Sequence, residues 1–138
     1  LAELQVKDTI VVMDSCFSGS GGRSVMAKGG RPMAIFVENP VLAAKNIVVM
    51  TAASGTEISS SYPEKRHGLF TYFFLKGLQG DADFNKDSAV SIGELYNYLA
   101  PQVKKIAKEK NMEQTPQLLP GIDLLENKAN IPLGVVGK

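Results

Sequence analysis

The sequence is short of several residues that would indicate common kinds of site. It contains one cysteine, one histidine and no tryptophan among 138 residues. A single cysteine excludes a disulfide within the chain and a zinc site built from several thiolates. Three roles remain for this thiol: a small buried side chain, half of an intermolecular disulfide, or a nucleophile. The compartment cannot be read from one thiol.

Long apolar runs and an excess of one charge sign are also absent. No apolar stretch approaches the roughly 18 residues that a membrane-spanning helix needs, and the first residues lack the apolar core of a signal peptide. The formal net charge of +1 predicts neither nucleic acid nor a membrane surface as a partner. Because the chain begins at Leu1 rather than at methionine, we expect it to be a piece of a longer protein.

What is present is the apolar patterning of one α/β domain. Short β-branched runs are typical of strands buried on both faces. A long segment that is apolar on most sides predicts one buried helix, and apolar residues at near-helical spacing predict a second. The predicted strands are Thr9–Met13, residues 46–51, Gln117–Leu119 and residues 131–136, and the predicted helices are residues 68–79 and 91–110. Residues 18–32 and 52–68 are predicted loops. Alternation of strands and helices predicts a mainly parallel sheet.

The cysteine lies in the segment "VVMDSCFSGSGG", directly after the first predicted strand. Ligand sites of α/β sheets form at the carboxyl ends of strands, and the small residues after Cys16 leave room for a substrate backbone. Asp14 precedes Cys16 by two residues, a spacing that puts both side chains on one face of a strand. The other interpretation is that Cys16 is a small buried side chain, as free cysteine often is. Spacing alone leaves both open.

This segment resembles the nucleophile segment of the caspase-like cysteine peptidases, in particular bacterial caspase homologues and metacaspases. Four later segments are similar, in the same order, to the small subunit of that family: "NIVVMTAASGTEIS", "HGLFTYFFLKGL", "VSIGELYNYLAPQV" and "QTPQL". The resemblance implies a three-layer sandwich with a mainly parallel central sheet flanked by helices. It implies that the first part of the domain is missing here, with the nucleophile strand and a flexible loop in residues 1–45 and a small-subunit-like region in residues 46–138.

By this resemblance, Cys16 is the nucleophile that attacks a peptide carbonyl to form a thioester, with its own N–H as part of an oxyanion hole. The attacking species is the thiolate, which needs a neighbouring base. In the family this base is the histidine of a His-Gly pair that precedes the cysteine. His67 is followed by Gly68 but comes after Cys16, so we interpret it as a polar residue at a helix entry. The catalytic histidine is then expected from a segment outside this chain.

Asp14 is interpreted as the acid that selects an Arg or Lys side chain before the scissile bond, as in metacaspases. The alternative is a carboxylate at a strand end that caps backbone amides. The residues expected by resemblance to line the cleft edge and pair with substrate backbone as an added strand are Ala52, Ala53 and Ser54.

The glycine-rich loop carries three basic residues that an enzyme of this specificity could cut in itself. These candidate autocleavage positions are Arg23, Lys28 and Arg31. The alternative is an ordinary solvated basic loop.

Residues 83–94, "DFNKDSAVSIGE", match a twelve-residue calcium loop at several positions. The candidate ligands are Asp83, Asn85, Asp87 and Glu94. Ser88 stands where the sharp turn of such a loop prefers glycine, and Ser91 with Glu94 also has the pattern of a helix capping box. Calcium is therefore a candidate ligand that the predicted reaction does not require, and no other cofactor is expected.

These features predict a cysteine endopeptidase that cuts polypeptides after Arg or Lys. Its expected partner is the N-terminal part of the same domain, which carries the histidine and could be a separate chain. The alternative functions are a catalytically inactive caspase-like module that binds peptides or partner proteins, and a calcium-binding structural domain. We expect a soluble protein, either of the bacterial cytoplasm or exported.

Overall fold

A computed structural model describes residues 6–14, 46–54 and 57–137. The strands of these residues are β1 (Thr9–Met13), β2 (Ile47–Thr51), β3 (Ser61–Tyr62), β4 (His67–Gly68), β5 (Ala89–Ser91), β6 (Gln117–Leu119) and β7 (Pro132–Val135). The helices are α1 (Leu69–Lys76), which continues into a π-helical turn at Gly77–Asp81, and α2 (Ile92–Glu109). Among these described elements, no helix is both long and apolar enough to cross a membrane.

The central sheet has the strand order β1-β2-β6. β1 is parallel to β2, with Thr9 opposite Ile47 and Met13 opposite Thr51. β6 is antiparallel to β2, so the described part of the sheet has one parallel and one antiparallel pair. The chain is a mixed α/β protein, in agreement with the coarse prediction from its sequence.

The core lies between the sheet and the two helices. Four consecutive residues of β2, from Ile47 to Met50, are at most 3% exposed, as expected of a strand covered on both faces. The buried residues of the helices are Leu69, Phe70 and Phe73 in α1 and Ile92, Gly93, Leu95, Leu99, Val103 and Ala107 in α2. The apolar spacing that predicted α2 therefore corresponds to its buried face.

β1 is less covered than β2. Its residues are only partly buried, and the Val12 side chain is 40% exposed. Within the described part of the chain, β1 pairs with β2 alone, so its other edge has no strand partner. An apolar strand of this kind is ordinarily covered on both sides.

Helix α2 begins at the predicted capping box. The Ser91 hydroxyl accepts a hydrogen bond from the Glu94 N–H at 3.3 Å, and Glu94 Oε2 accepts one from the Ser91 N–H at 3.0 Å. The helix then continues through Pro101 as one element of 18 residues. Pro101 and Asn97, whose carbonyl loses its helical partner, are both exposed, so water can satisfy that carbonyl.

Two parts of the chain differ from the sequence prediction. The predicted loop over residues 52–68 contains the β3–β4 hairpin, whose turn has Arg66 in the left-handed region at φ 58°. β7 was predicted as a strand, but it pairs with β5 in a separate two-stranded sheet. Strands of two residues, such as β3 and β4, carry too little periodicity to be predicted from sequence.

Candidate functional site

The predicted site lies where β1 and β2 end. Asp14 follows β1, and residues 52–54 follow β2. The Ala52 N–H donates a hydrogen bond to the Met13 carbonyl at 2.9 Å, which brings the two strand ends together. Cys16 and the candidate autocleavage residues Arg23, Lys28 and Arg31 lie outside the described residues.

Both oxygens of the Asp14 carboxylate accept hydrogen bonds. The Ser59 hydroxyl donates to Oδ1 at 2.5 Å. The Thr71 N–H donates to Oδ2 at 3.2 Å, and the Thr71 hydroxyl donates to the same oxygen. All three donors are neutral, and none of the ion pairs of the described residues involves Asp14. Neutral donors therefore orient the carboxylate, and no cation of the described residues pairs with its charge.

Gly68 allows this approach between β1 and α1. A Cβ atom at this position would lie 2.7 Å from Asp14 Oδ2, closer than carbon and oxygen can pack. Gly68 is also the N-cap of α1 and offers no side chain to cap it. Asp14 supplies the missing acceptor from another strand, which is the amide-capping role named as the alternative for this residue.

The cleft-edge residues are largely hydrogen-bonded within the chain. The carbonyl of Ala52, a residue 2% exposed, accepts from Gln114 Nε2 at 3.0 Å, and the Ala53 carbonyl accepts from the Thr51 hydroxyl at 3.1 Å. Ser54 uses both its N–H and its carbonyl on Glu57. Of the backbone polar groups in residues 52–54, only the Ala53 N–H has no hydrogen-bond partner in the described chain. An added peptide strand could therefore pair with one backbone donor of residues 52–54, rather than with the row of donors and acceptors that an open strand edge offers.

Glu57 links this edge to the segment that precedes β6. Its carboxylate accepts from the Thr115 N–H at 2.6 Å, the Thr115 hydroxyl at 3.0 Å and the Ser54 N–H at 3.2 Å. Partial burial opposes the charge of Glu57, but the hydrogen bonds from Thr115 and Ser54 outweigh it and hold the pKa of Glu57 below its usual value. Glu57 was not among the residues predicted from sequence.

Three more residues of this site were missed: Ser59, Thr71 and Gln114. Ser59 and Gln114 are nearly fully buried, at 3% and 1% exposure. Nothing in the sequence pattern distinguishes Ser59 from its neighbours Ser60 and Ser61. A glutamine three residues before an apolar strand was the one available signal, since buried glutamine needs hydrogen-bond partners.

In the candidate calcium loop, side-chain oxygens accept hydrogen bonds from backbone N–H groups of the same loop. The Asp87 N–H donates to Asp83 Oδ1 at 3.2 Å and to Asn85 Oδ1 at 2.8 Å. Asp87 Oδ1 accepts from the Ala89 N–H at 2.8 Å. In the residues that the structure describes, no group of three or more His, Cys, Asp or Glu side chains is arranged to hold a metal.

The rest of this loop behaves as a helix entry. Ser88 has a φ of 68°, so the serine adopts the left-handed conformation for which a calcium loop uses glycine. Glu94 Oε2, the last candidate ligand atom, accepts from both the N–H and the hydroxyl of Ser91. The capping box predicted for Ser91 and Glu94 is confirmed.

His67 lies in β4, opposite Tyr62, and its side chain is exposed. It directly precedes Gly68 and the start of α1. This is the helix entry expected for it from the sequence.

In comparisons with known proteins, the chain matches no family model and no curated protein. A functional proposal therefore depends on its own residues.

Proposed function

We propose that this chain is the second half of the catalytic domain of a caspase-like cysteine endopeptidase that cleaves after Arg or Lys. Cys16 Sγ attacks the carbonyl carbon, the C–N bond breaks, and the amine leaves with a proton from a histidine supplied by a segment outside this chain. Water then hydrolyses the thioester and regenerates the thiol. The reaction requires no cofactor.

The observation that carries the specificity is the state of the Asp14 carboxylate. It is oriented by Ser59 and Thr71 through neutral donors and has no ion-pair partner among the described residues. A guanidinium or ammonium group would supply the missing positive charge in a charge-assisted hydrogen bond. Asp14 is two residues from Cys16, so a basic side chain held there would bring its own peptide bond towards the thiol.

The edge of β1 that has no strand neighbour among the described residues supports the proposed partner. β1 is an apolar strand with a half-exposed Val12 and, in the described chain, a strand neighbour on one side only. A strand from the N-terminal part of the domain would cover Val12 and pair with this edge. Such a strand would end beside Asp14 and Cys16 if parallel to β1, where the family's histidine is needed.

The second candidate is a caspase-like module that binds basic peptides without cutting them. It is favoured because the histidine of the described residues, His67, is exposed at a helix entry and is not assigned as a catalytic base. Both candidates use Asp14 in the same way, and they differ only in whether Cys16 reacts.

The test is cleavage of a fluorogenic peptide with arginine before the reporter, by the intact protein that includes the upstream segment. We expect cleavage that Cys16→Ala abolishes and that Asp14→Asn lowers by about 10- to 100-fold in kcat/KM, the range for one hydrogen bond to a charged group. Asp123→Asn, at an exposed acid in a 3-10 turn, is the matched control and should leave the rate unchanged. Binding without cleavage would favour the module. The absence of both binding and cleavage would contradict both candidates.

A further inference from the structure

Gln114 is the most completely buried polar side chain of the described residues. It is 1% exposed and lies between the end of α2 and the start of β6. A buried primary amide must satisfy both an oxygen and an NH₂ group. Its partners therefore show which parts of the fold it joins.

Each end of the Gln114 amide meets a different segment of the candidate site. Oε1 accepts a hydrogen bond from the Ser60 N–H at 2.8 Å, and Nε2 donates to the Ala52 carbonyl at 3.0 Å. These partners fix the orientation of the amide, because only the oxygen can accept from Ser60 and only the nitrogen can donate to Ala52. The Gln114 side chain thus links Ala52, at the end of β2, to the Ser59–Ser60 segment, which donates a hydrogen bond to Asp14.

The second Nε2 proton points to Ser59. Nε2 lies 3.5 Å from Ser59 Oγ and can only donate to it. The Ser59 hydroxyl, as an acceptor from Gln114, directs its single proton to Asp14 Oδ1 at 2.5 Å. The chain of contacts thus runs from Gln114 through Ser59 to the carboxylate.

We propose that Gln114 is a positioning residue for Asp14, acting through Ser59 and not by touching the substrate. Loss of this orientation would weaken the hold on a basic side chain more than the chemical step at the thiol. The effect on substrate rests on the proposed function, whereas the effect on Asp14 itself does not.

The test uses two variants of the intact protein. Gln114→Glu keeps the shape and the acceptor for Ser60 but replaces the donor by an oxygen that competes for the Ser59 proton. Ser59→Ala removes the link to Asp14 and leaves the Ala52 and Ser60 contacts of Gln114 in place. The matched control is Gln117→Glu, because Gln117 Nε2 donates to the Thr115 carbonyl at 3.2 Å rather than to Ser59.

The first readout is steady-state cleavage of the arginine peptide. We expect both variants to raise KM about tenfold, as for one weakened hydrogen bond to a charged group, with kcat within about twofold. The double variant should be no worse than the poorer single one, because both changes act on the same contact. Gln117→Glu should leave KM unchanged.

The second readout needs no activity. The Thr71 N–H donates its hydrogen bond to Asp14 and not to Gln114 or Ser59. If Asp14 loses its orientation, the Thr71 amide should exchange with solvent at least about fivefold faster in both variants, while the control exchanges as the wild type.

These readouts separate the two proposals. A wild type that does not cut or bind arginine peptides contradicts the proposed function, and the Thr71 exchange rate still decides the role of Gln114. Unchanged Thr71 exchange in Ser59→Ala overturns the positioning role, even if Gln114→Glu fails to fold. Equal changes in the Gln117→Glu control would overturn it as well.

Discussion

Asp14, at the end of β1, receives two hydrogen bonds from Thr71, which lies 57 residues later in the first turn of α1. The N–H and the hydroxyl of Thr71 donate to the same carboxylate oxygen. Because a helix N-terminus carries unpaired amides and a partial positive charge, the carboxylate stabilises α1 as well as being positioned by it. The proposed specificity and the stability of α1 are therefore coupled at this residue.

Replacing Thr71 with valine removes one of these donors at constant shape. We expect the free energy of unfolding to fall by about 1.5 kcal/mol, the lower end of the range for one hydrogen bond to a charged group, because this site is exposed. The control is Thr9→Val in β1, since the buried Thr9 hydroxyl has no hydrogen-bond partner in the described chain, and it should be neutral or stabilising. Urea denaturation measures both, and a Thr9→Val loss as large as that of Thr71→Val would contradict the assignment.

Gly68→Ala should displace Asp14. The new Cβ would lie 2.7 Å from Asp14 Oδ2, which the N–H and hydroxyl of Thr71 hold in place, so the strain should lower stability by about 1 to 3 kcal/mol. Cleavage of arginine peptides should fall with it. In Gly121→Ala the Cβ would meet nothing within 4 Å, and this variant should match the wild type in both assays.

Glu57 should make stability depend on pH. Its pKa is lowered in the folded state because the hydrogen bonds from Thr115 and Ser54 outweigh the opposing effect of burial. Its contribution is therefore present above the unfolded pKa of about 4.3 and is lost as the pH falls through the lower folded pKa. Glu57→Gln should lower stability at neutral pH and flatten this acid-side decline, measured by urea unfolding across the range. Glu113→Gln, at an exposed carboxylate, should retain the wild-type slope.

Gly77 sets the distance between α1 and α2. An added Cβ would lie 2.5 Å from Leu95 Cδ1 and 3.1 Å from Tyr98 Cδ1, and Leu95 is fully buried. Gly77→Ala should cost about 1 to 3 kcal/mol by overpacking, although Gly77 has helical backbone angles that suit alanine. Gly134→Ala, with a first contact at 3.5 Å, should unfold at nearly the wild-type temperature.

The elements that sequence could predict are those set by local pattern. The apolar runs of β1 and β2 and the spacing and capping box of α2 agree with the structure because burial and capping act within a few residues. The antiparallel pairing of β6 and the β5–β7 sheet depend on distant chain segments, so no local pattern indicates them.

The same division applies to the candidate site. Asp14 could be singled out because it follows an apolar strand and stands beside the only cysteine. Its partner Ser59 lies 45 residues away in a run of three serines, where composition gives no reason to choose one. Gln114 and Thr71 likewise become informative only when the fold brings them to the strand ends.

Among the described residues, β1 and its flanks make several contacts with parts of the molecule that follow residue 46. β1 pairs with β2 over five residues. On either side of β1, Asp14 accepts hydrogen bonds from Ser59 and Thr71, and Asp8 forms an ion pair of 2.9 Å with Lys128. A backbone cut between Asp14 and Asn46 would therefore leave two fragments that migrate together under native conditions and separate only in denaturant.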